Sequence, residues 1–190
     1  GQQACNQESR DLRASMTRSG GAVAFSRTGK LCPVSATADL AGPSGGESRR
    51  VSSWPMVSAI IPTHQRPELV RRAVEAVVTQ TYPGPVECIV VHDGEPADLT
   101  LEALSRHEPG RSRSVHAIVN VHARGQVGAR ACGLETAHGE YIAWCDDDDR
   151  WHCEKLDRQM GALAREPDAV GAACGLRWEA ADGRASLQSA

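Results

Sequence analysis

Between Met56 and Cys174 short apolar runs alternate with longer amphipathic stretches. Val57-Ser58-Ala59-Ile60-Ile61 is long enough for a buried strand and opens into a polar loop, Pro62-Thr63-His64-Gln65-Arg66. Pro67 and Glu68 supply what a helix start favours, a proline at the first helical position and an acid in the first turn. Leu69, Val70, Ala73, Val74 and Val77 fall on one helical face and Arg71, Arg72 and Glu75 on the other; Tyr82-Pro83-Gly84-Pro85 ends the helix. The pattern then repeats. A second strand, Val86 to Val91, runs into His92-Asp93-Gly94-Glu95-Pro96 and a helix over about Ala97 to Arg106. A basic turn from Pro109 to Arg113 leads to a third strand, Val115 to Val121. Arg124 to Arg130 is a glycine-bearing entry to a third helix ending near His138-Gly139. A fourth strand follows, then a helix from about Trp151 to Arg165 and a fifth strand over Ala169 to Cys174, and the residues after Arg177 read as a frayed end.

Strands alternating with helices of about ten or more residues predict an α/β fold, a mostly parallel sheet covered by helices on both faces. Such sheets bind ligands at the carboxyl ends of their strands. The unusual chemistry of this chain collects at those ends: Thr63 to Arg66, His92-Asp93-Gly94, Arg124 to Arg130, and Asp146 to Asp149.

The last of these carries the most information. Tyr141-Ile142-Ala143-Trp144-Cys145 suits a packed strand, yet it runs straight into four consecutive carboxylates. Side by side they repel one another. Residues two apart on an extended backbone point the same way, roughly 6.5–7 Å apart, so Asp146 and Asp148 would share one side and Asp147 and Asp149 the other. Paired carboxylates suit a hard divalent cation completed by phosphates and water. A solvated turn capping the next helix is the alternative, and it accounts for one or two acids rather than four. Asp93 reads either as an acceptor for a base or ribose or as a turn residue before Gly94. Gly125, Gly128 and Arg130 sit at a helix start, which favours anions, though the glycine spacing equally fits a loose loop. Arg66 and Arg130 could face phosphates or solvent. His64, His92 and His152 have no partner in sequence. A cation beside a diphosphate would offset the charge developing on a departing nucleoside diphosphate, which points to group transfer from an activated donor.

Composition narrows this picture without changing it. The 190 residues suffice for one domain, and a net charge of −3 gives no case for nucleic-acid binding. No apolar run approaches the ~18 residues of a membrane span, and the N-terminus has no signal-peptide core. Seven cysteines at irregular spacing, with no Cys-x-x-Cys pair, favour neither a disulfide framework nor a zinc knuckle. A cytoplasmic setting is expected, with peripheral membrane attachment left open. Residues 1–53 lack sustained periodicity, and the Gly- and Ser-rich stretch Gly42 to Arg50 resembles a linker. That segment is expected to be largely disordered, leaving 54–190 as the folded part.

From Val57 to about Trp178 the chain resembles the donor-binding half of an inverting family 2 glycosyltransferase with the GT-A fold. The resemblance is carried by Val57-Ser58-Ala59-Ile60-Ile61-Pro62-Thr63, Gln80-Thr81-Tyr82-Pro83, Asp93-Gly94, and Gly139-Glu140-Tyr141-Ile142 through Asp148-Asp149-x-Trp151. It implies a Rossmann-like α/β/α sandwich, here truncated at its C-terminus, and metal-dependent, inverting sugar transfer from a UDP-, GDP- or dTDP-linked donor to an unknown acceptor. The Asp-x-Asp motif falls on Asp146 and Asp148, which would hold Mg²⁺ or Mn²⁺, with Asp148 the direct ligand. Asp147 would lie near the ribose, Asp93 would bind the base, and Pro62, Thr63 and His64 would line the nucleotide pocket. Five positions depart from the family pattern: His64-Gln65 replaces Tyr-Asn, His92 replaces Asp or Asn, Glu95 replaces Ser, and Ala131 stands where Asn is typical. No general base is identified; Glu179 and Asp182 are the late acids, and neither sits in a recognisable base motif. The alternatives are a non-catalytic or truncated nucleotide- and metal-binding fragment, and a nucleotidyltransferase of related fold. The latter would want a glycine-rich loop after the first strand, and Pro62 to Arg66 contains no glycine.

Overall fold

A computed structural model of the chain describes residues 24–26, 54–109, 111–166, 168–179 and 185–188. Its elements in chain order are β1 (Ala24–Ser26), β2 (Val57–Thr63), α1 (Pro67–Val78), β3 (Val86–His92), a 3-10 helix (Leu99–Leu104), β4 (Arg106–Glu108), β5 (Arg111–Val119), α2 (Gln126–Thr136), β6 (Tyr141–Trp144), α3 (Lys155–Arg165), β7 (Gly171–Ala172), β8 (Leu176–Glu179) and β9 (Ala185–Gln188).

Seven strands form one sheet in the order β4-β5-β3-β2-β6-β1-β7. The central four are parallel, and the pairings of β4, β1 and β7 are antiparallel. The sheet is thus mostly parallel with antiparallel margins. Its strands read as continuous apolar runs because both faces are covered. Val57, Ala59 and Ile61 of β2 pack with Val70, Val74 and Val77 of α1 and Leu156, Met160 and Leu163 of α3. Ile60 points the other way, with Ile89, Val91 and Ile142, against Ala129 and Cys132 of α2. Period-2 alternation along one strand therefore feeds two cores, the α/β/α sandwich expected.

Several expectations are corrected. The second helix is a 3-10 helix of six residues, with Asp98 accepting Thr100 N–H at 3.0 Å. Of its residues only Leu101 is buried, too little apolar surface to hold a longer α-helix on the sheet. The third strand begins at Arg111, earlier than its apolar run, because a short β4 pairs back onto it. Arg113, read as part of a basic turn, is buried and donates to the carbonyls of Gly84 (2.6 Å), Gln80 (3.3 Å) and Tyr82. It supplies donors for the chain reversal after α1, where Pro83 and Pro85 have none to give. The fifth strand shrinks to Gly171–Ala172, and the stretch after Arg177 belongs to a hairpin in which Leu176 faces Gln188. Within residues 1–53, Ala24–Ser26 is a strand between β6 and β7; the rest of that segment lies outside the described residues. Cys153 is disulfide-bonded, whereas Cys88, Cys132, Cys145 and Cys174 are free.

Candidate functional site

Parallel register sets Thr63 beside His92, and His92 beside Val119, so β2, β3 and β5 end at one level. Strand β6 stops three residues lower, where Trp144 faces Ile60 and Cys145 N–H reaches the Ile60 carbonyl at 3.1 Å. The chain then turns through the acids, closed by Asp149 N–H on the Asp146 carbonyl at 3.1 Å. All four stretches of unusual chemistry do meet at this edge.

The acids do not keep the alternation of an extended strand, because the chain has left the sheet. Asp147 turns inward and is buried, taking the Thr63 hydroxyl at 2.8 Å. Arg66 Nη1 spans Asp147 Oδ1 at 3.1 Å and Asp148 Oδ2 at 3.2 Å. Asp146 faces away and takes Arg130 Nη2 at 2.7 Å and Gln126 Nε2 at 3.0 Å, both on Oδ1. Arg130 also lies over the Trp144 ring, 5.6 Å from its centroid. Helix α3 starts ten residues on from Cys145 with Glu154 as its N-cap and no side-chain cap bond, so the acids are not a helix cap. Burial first, and then the Asp146 and Asp148 carboxylates, push the Asp149 carboxyl up. Three of the four acids of this turn pair with two arginines, and the Lys155 ammonium opposes part of the shift at Asp149.

Asp93 proves to be a junction. Its Oδ1 takes Asn120 Nδ2 and its Oδ2 takes Gly125 N–H, both at 2.7 Å, and these bonds hold its carboxyl below the usual carboxylate range. Gly94 beside it has φ +77°, which a side chain would strain, so the turn reading of Asp93-Gly94 holds. The junction fixes the loop leading into α2, the helix that carries Gln126 and Arg130. The His64 ring Nδ1 is 2.6 Å from the Asp93 carbonyl.

Three of the departures from the family pattern meet one another. Glu95 Oε1 accepts Gln65 N–H at 2.9 Å and lies 3.4 Å from His92 Nδ1. His92 is buried, and its Nε2 accepts Asp98 N–H at 3.2 Å, so a neutral ring protonated on Nδ1 satisfies both neighbours. Gln65 sits at φ +54°, and the Glu95 carboxylate holds its amide there. These contacts fix the loop that presents Arg66. A cleft of about 150 Å³ opens here, lined by Thr63, Arg66, Val70, His92, Glu95 and Asp98.

Pro62 is buried within β2 and Thr63 at its end, while His64 and Arg66 are exposed above them. Asn120 and Gln126 escape sequence reading. The signal for Asn120 is a lone amide directly after an apolar strand; Gln126 had none beyond its place in the loop.

Residues 58–184 match Glycosyl transferase family 2. The chain belongs to this family. TuaG of Bacillus subtilis (strain 168) is 32% identical over 111 residues, 58% of this chain and 43% of that protein. WfaP of Escherichia coli, a UDP-Glc:alpha-D-GlcNAc-diphosphoundecaprenol beta-1,3-glucosyltransferase, is also 32% identical over 111 residues, 58% of this chain and 42% of that protein. The crystal structure of S. aureus TarS 1–349 aligns with 24% identity and a TM-score of 0.45 over 58% of this chain and 32% of that one. The chain therefore spans less than half the length of these curated relatives. No helix among the described residues is long and apolar enough to cross a membrane.

Proposed function

We propose that this family 2 domain holds a nucleotide-diphosphate sugar and, within its whole protein, transfers that sugar with inversion to an acceptor, aided by Mg²⁺ or Mn²⁺. The observation that carries the reading is the convergence of Asp146, Asp147 and Asp148 with Arg66 and Arg130 at the carboxyl edge of a parallel sheet. The donor set suits a hard divalent ion: all carboxylate oxygen, with Asp146 43% and Asp148 58% exposed. Asp146 and Asp148 would hold the ion, which when bound supplies positive charge against the leaving diphosphate. Arg66 and Arg130, on opposite sides of the acids, are placed to take phosphate oxygens. Asp147, buried against Thr63, would lie near the ribose. Asp93, with both oxygens bonded inside the protein, acts on the base chiefly by holding the α2 loop and the adjacent His64. The name of WfaP supports a UDP-linked donor here over GDP or dTDP.

Calorimetric titration of UDP, with and without Mn²⁺, tests this reading. UDP is expected to bind with the ion and to lose at least about tenfold in affinity in Asp148→Ala, as for loss of a charge-assisted contact. A folded chain that binds no UDP, GDP or dTDP with either ion would refute the donor site.

A further inference from the structure

The site does not wait as an open cage of carboxylates. Each of Asp146, Asp147 and Asp148 is already held by a guanidinium, and among the described residues no group of three or more acidic, histidine or cysteine side chains is arranged to receive an ion. Asp146 Oδ1 carries two donors, from Arg130 and Gln126. An entering dication would meet two fixed positive charges within reach of its own ligands. Their mutual repulsion at such distances is several times that in bulk water, since the turn is half-buried. The arginines must therefore let go when the ion arrives, and both are able to. The Arg66 side chain is 51% exposed on a loop, and Arg130 lies over Trp144 with its Nε buried and without a hydrogen-bond partner. A diphosphate between them offers what a guanidinium fork binds best.

We propose, building on the donor-site reading, that Arg66 and Arg130 are resident counter-cations of the acidic turn that exchange carboxylates for diphosphate as the metal enters, so that ion and nucleotide each bind strongly only with the other. In the exchange three guanidinium–carboxylate pairs give way to metal–carboxylate and guanidinium–phosphate contacts. By linkage, whatever factor UDP gains from the ion, the ion gains from UDP.

The test follows free Mn²⁺ by electron paramagnetic resonance during titration of the full chain, with and without UDP. The variants are Arg66→Gln, Arg130→Gln and Arg124→Gln. Arg124 lies against Gly94 on the same edge and makes no ion pair with the acids, so it controls for simple loss of charge. In the unsubstituted chain UDP should tighten Mn²⁺ by about tenfold or more. Arg66→Gln and Arg130→Gln should each strengthen Mn²⁺ binding without UDP by severalfold and shrink the gain from UDP, while Arg124→Gln leaves both near their starting values. Circular dichroism shows that each variant is folded, and the two substitutions at separate elements give independent readings. Mn²⁺ affinity indifferent to UDP, arginine variants that bind bare Mn²⁺ no better, or Arg124→Gln matching Arg66→Gln would each overturn the exchange while leaving the donor site standing. Absence of both Mn²⁺ and UDP binding in every form would overturn the donor site with it.

Discussion

The two ends of the same parallel strands both hold carboxylates, and they hold them in opposite ways. At the amino end Glu87 is buried and saturated: its Oε1 takes Ser58 Oγ at 2.5 Å, His138 N–H at 2.5 Å and Gly139 N–H at 3.1 Å, and its Oε2 lies 3.2 Å from His138 Nδ1. Burial alone would raise its pKa, but these bonds together outweigh burial and hold it below the ordinary value. At the carboxyl end four acids crowd one turn, two arginines pair with three of them, and the fourth is pushed up by burial and its neighbours. A lone carboxylate whose every donor comes from the protein is a structural element. A surplus of them, partly exposed, is what the proposed donor site rests on.

The comparison breaks most simply at Glu87. Glu87→Ala strands the Ser58 hydroxyl and the His138 amide and leaves Gly139 N–H with Ser58 Oγ alone, at 2.8 Å. The expected loss is about 3 kcal/mol of folding stability, or a fall in Tm of roughly 6–12 °C. Thermal unfolding by circular dichroism checks this; a loss under about 1 kcal/mol would mean that the amino edge is not organised by this carboxylate.

That lock shows where sequence reading ends. Apolar runs long enough for doubly covered strands, the proline-led start of α1 and the four acids were all local signals, and they placed the sheet, its faces and its binding edge. Glu87 within an apolar run gives no such signal. Its meaning depends on register, which sets Ser58 beside it, and on the chain returning 51 residues later with His138. Arg113 is a similar case, basic in sequence and buried in the fold. At the site, the acids and Arg66 were legible one by one, but their pairing was not, because it depends on the chain leaving the sheet after Trp144. Likewise Gln65, His92 and Glu95 register singly as departures and make sense only once the loops after β2 and β3 meet.

A second test uses pH. A carboxylate whose folded pKa is lowered contributes stability that is present above its unfolded value, 4.5, and is lost as pH falls through the folded value. Stability should therefore fall more steeply below pH 4.5 in the unsubstituted chain than in Glu87→Gln, which has no such proton to take up. Denaturant unfolding at a series of pH values measures both slopes. Equal slopes would assign acid lability to other carboxylates and weaken the contrast between the edges.

The smallest effect is the sharpest, because its sign is opposite. If the carboxyl turn carries surplus negative charge, removing an acid there should help folding rather than harm it. Asp149 is the acid to remove: it pairs with neither arginine, and burial together with Asp146 and Asp148 opposes its ionisation. Asp149→Asn keeps its shape and removes the charge. Solvent screening at a half-buried turn limits the gain to about 0.5 kcal/mol at neutral pH and low salt, shrinking as salt rises. Such gains are the mark of a site that gives up stability to keep a ligand-binding arrangement. A loss of 1 kcal/mol or more would place the two edges in one class, each a structural lock, and would leave the acidic turn without its strongest physical argument for binding an ion.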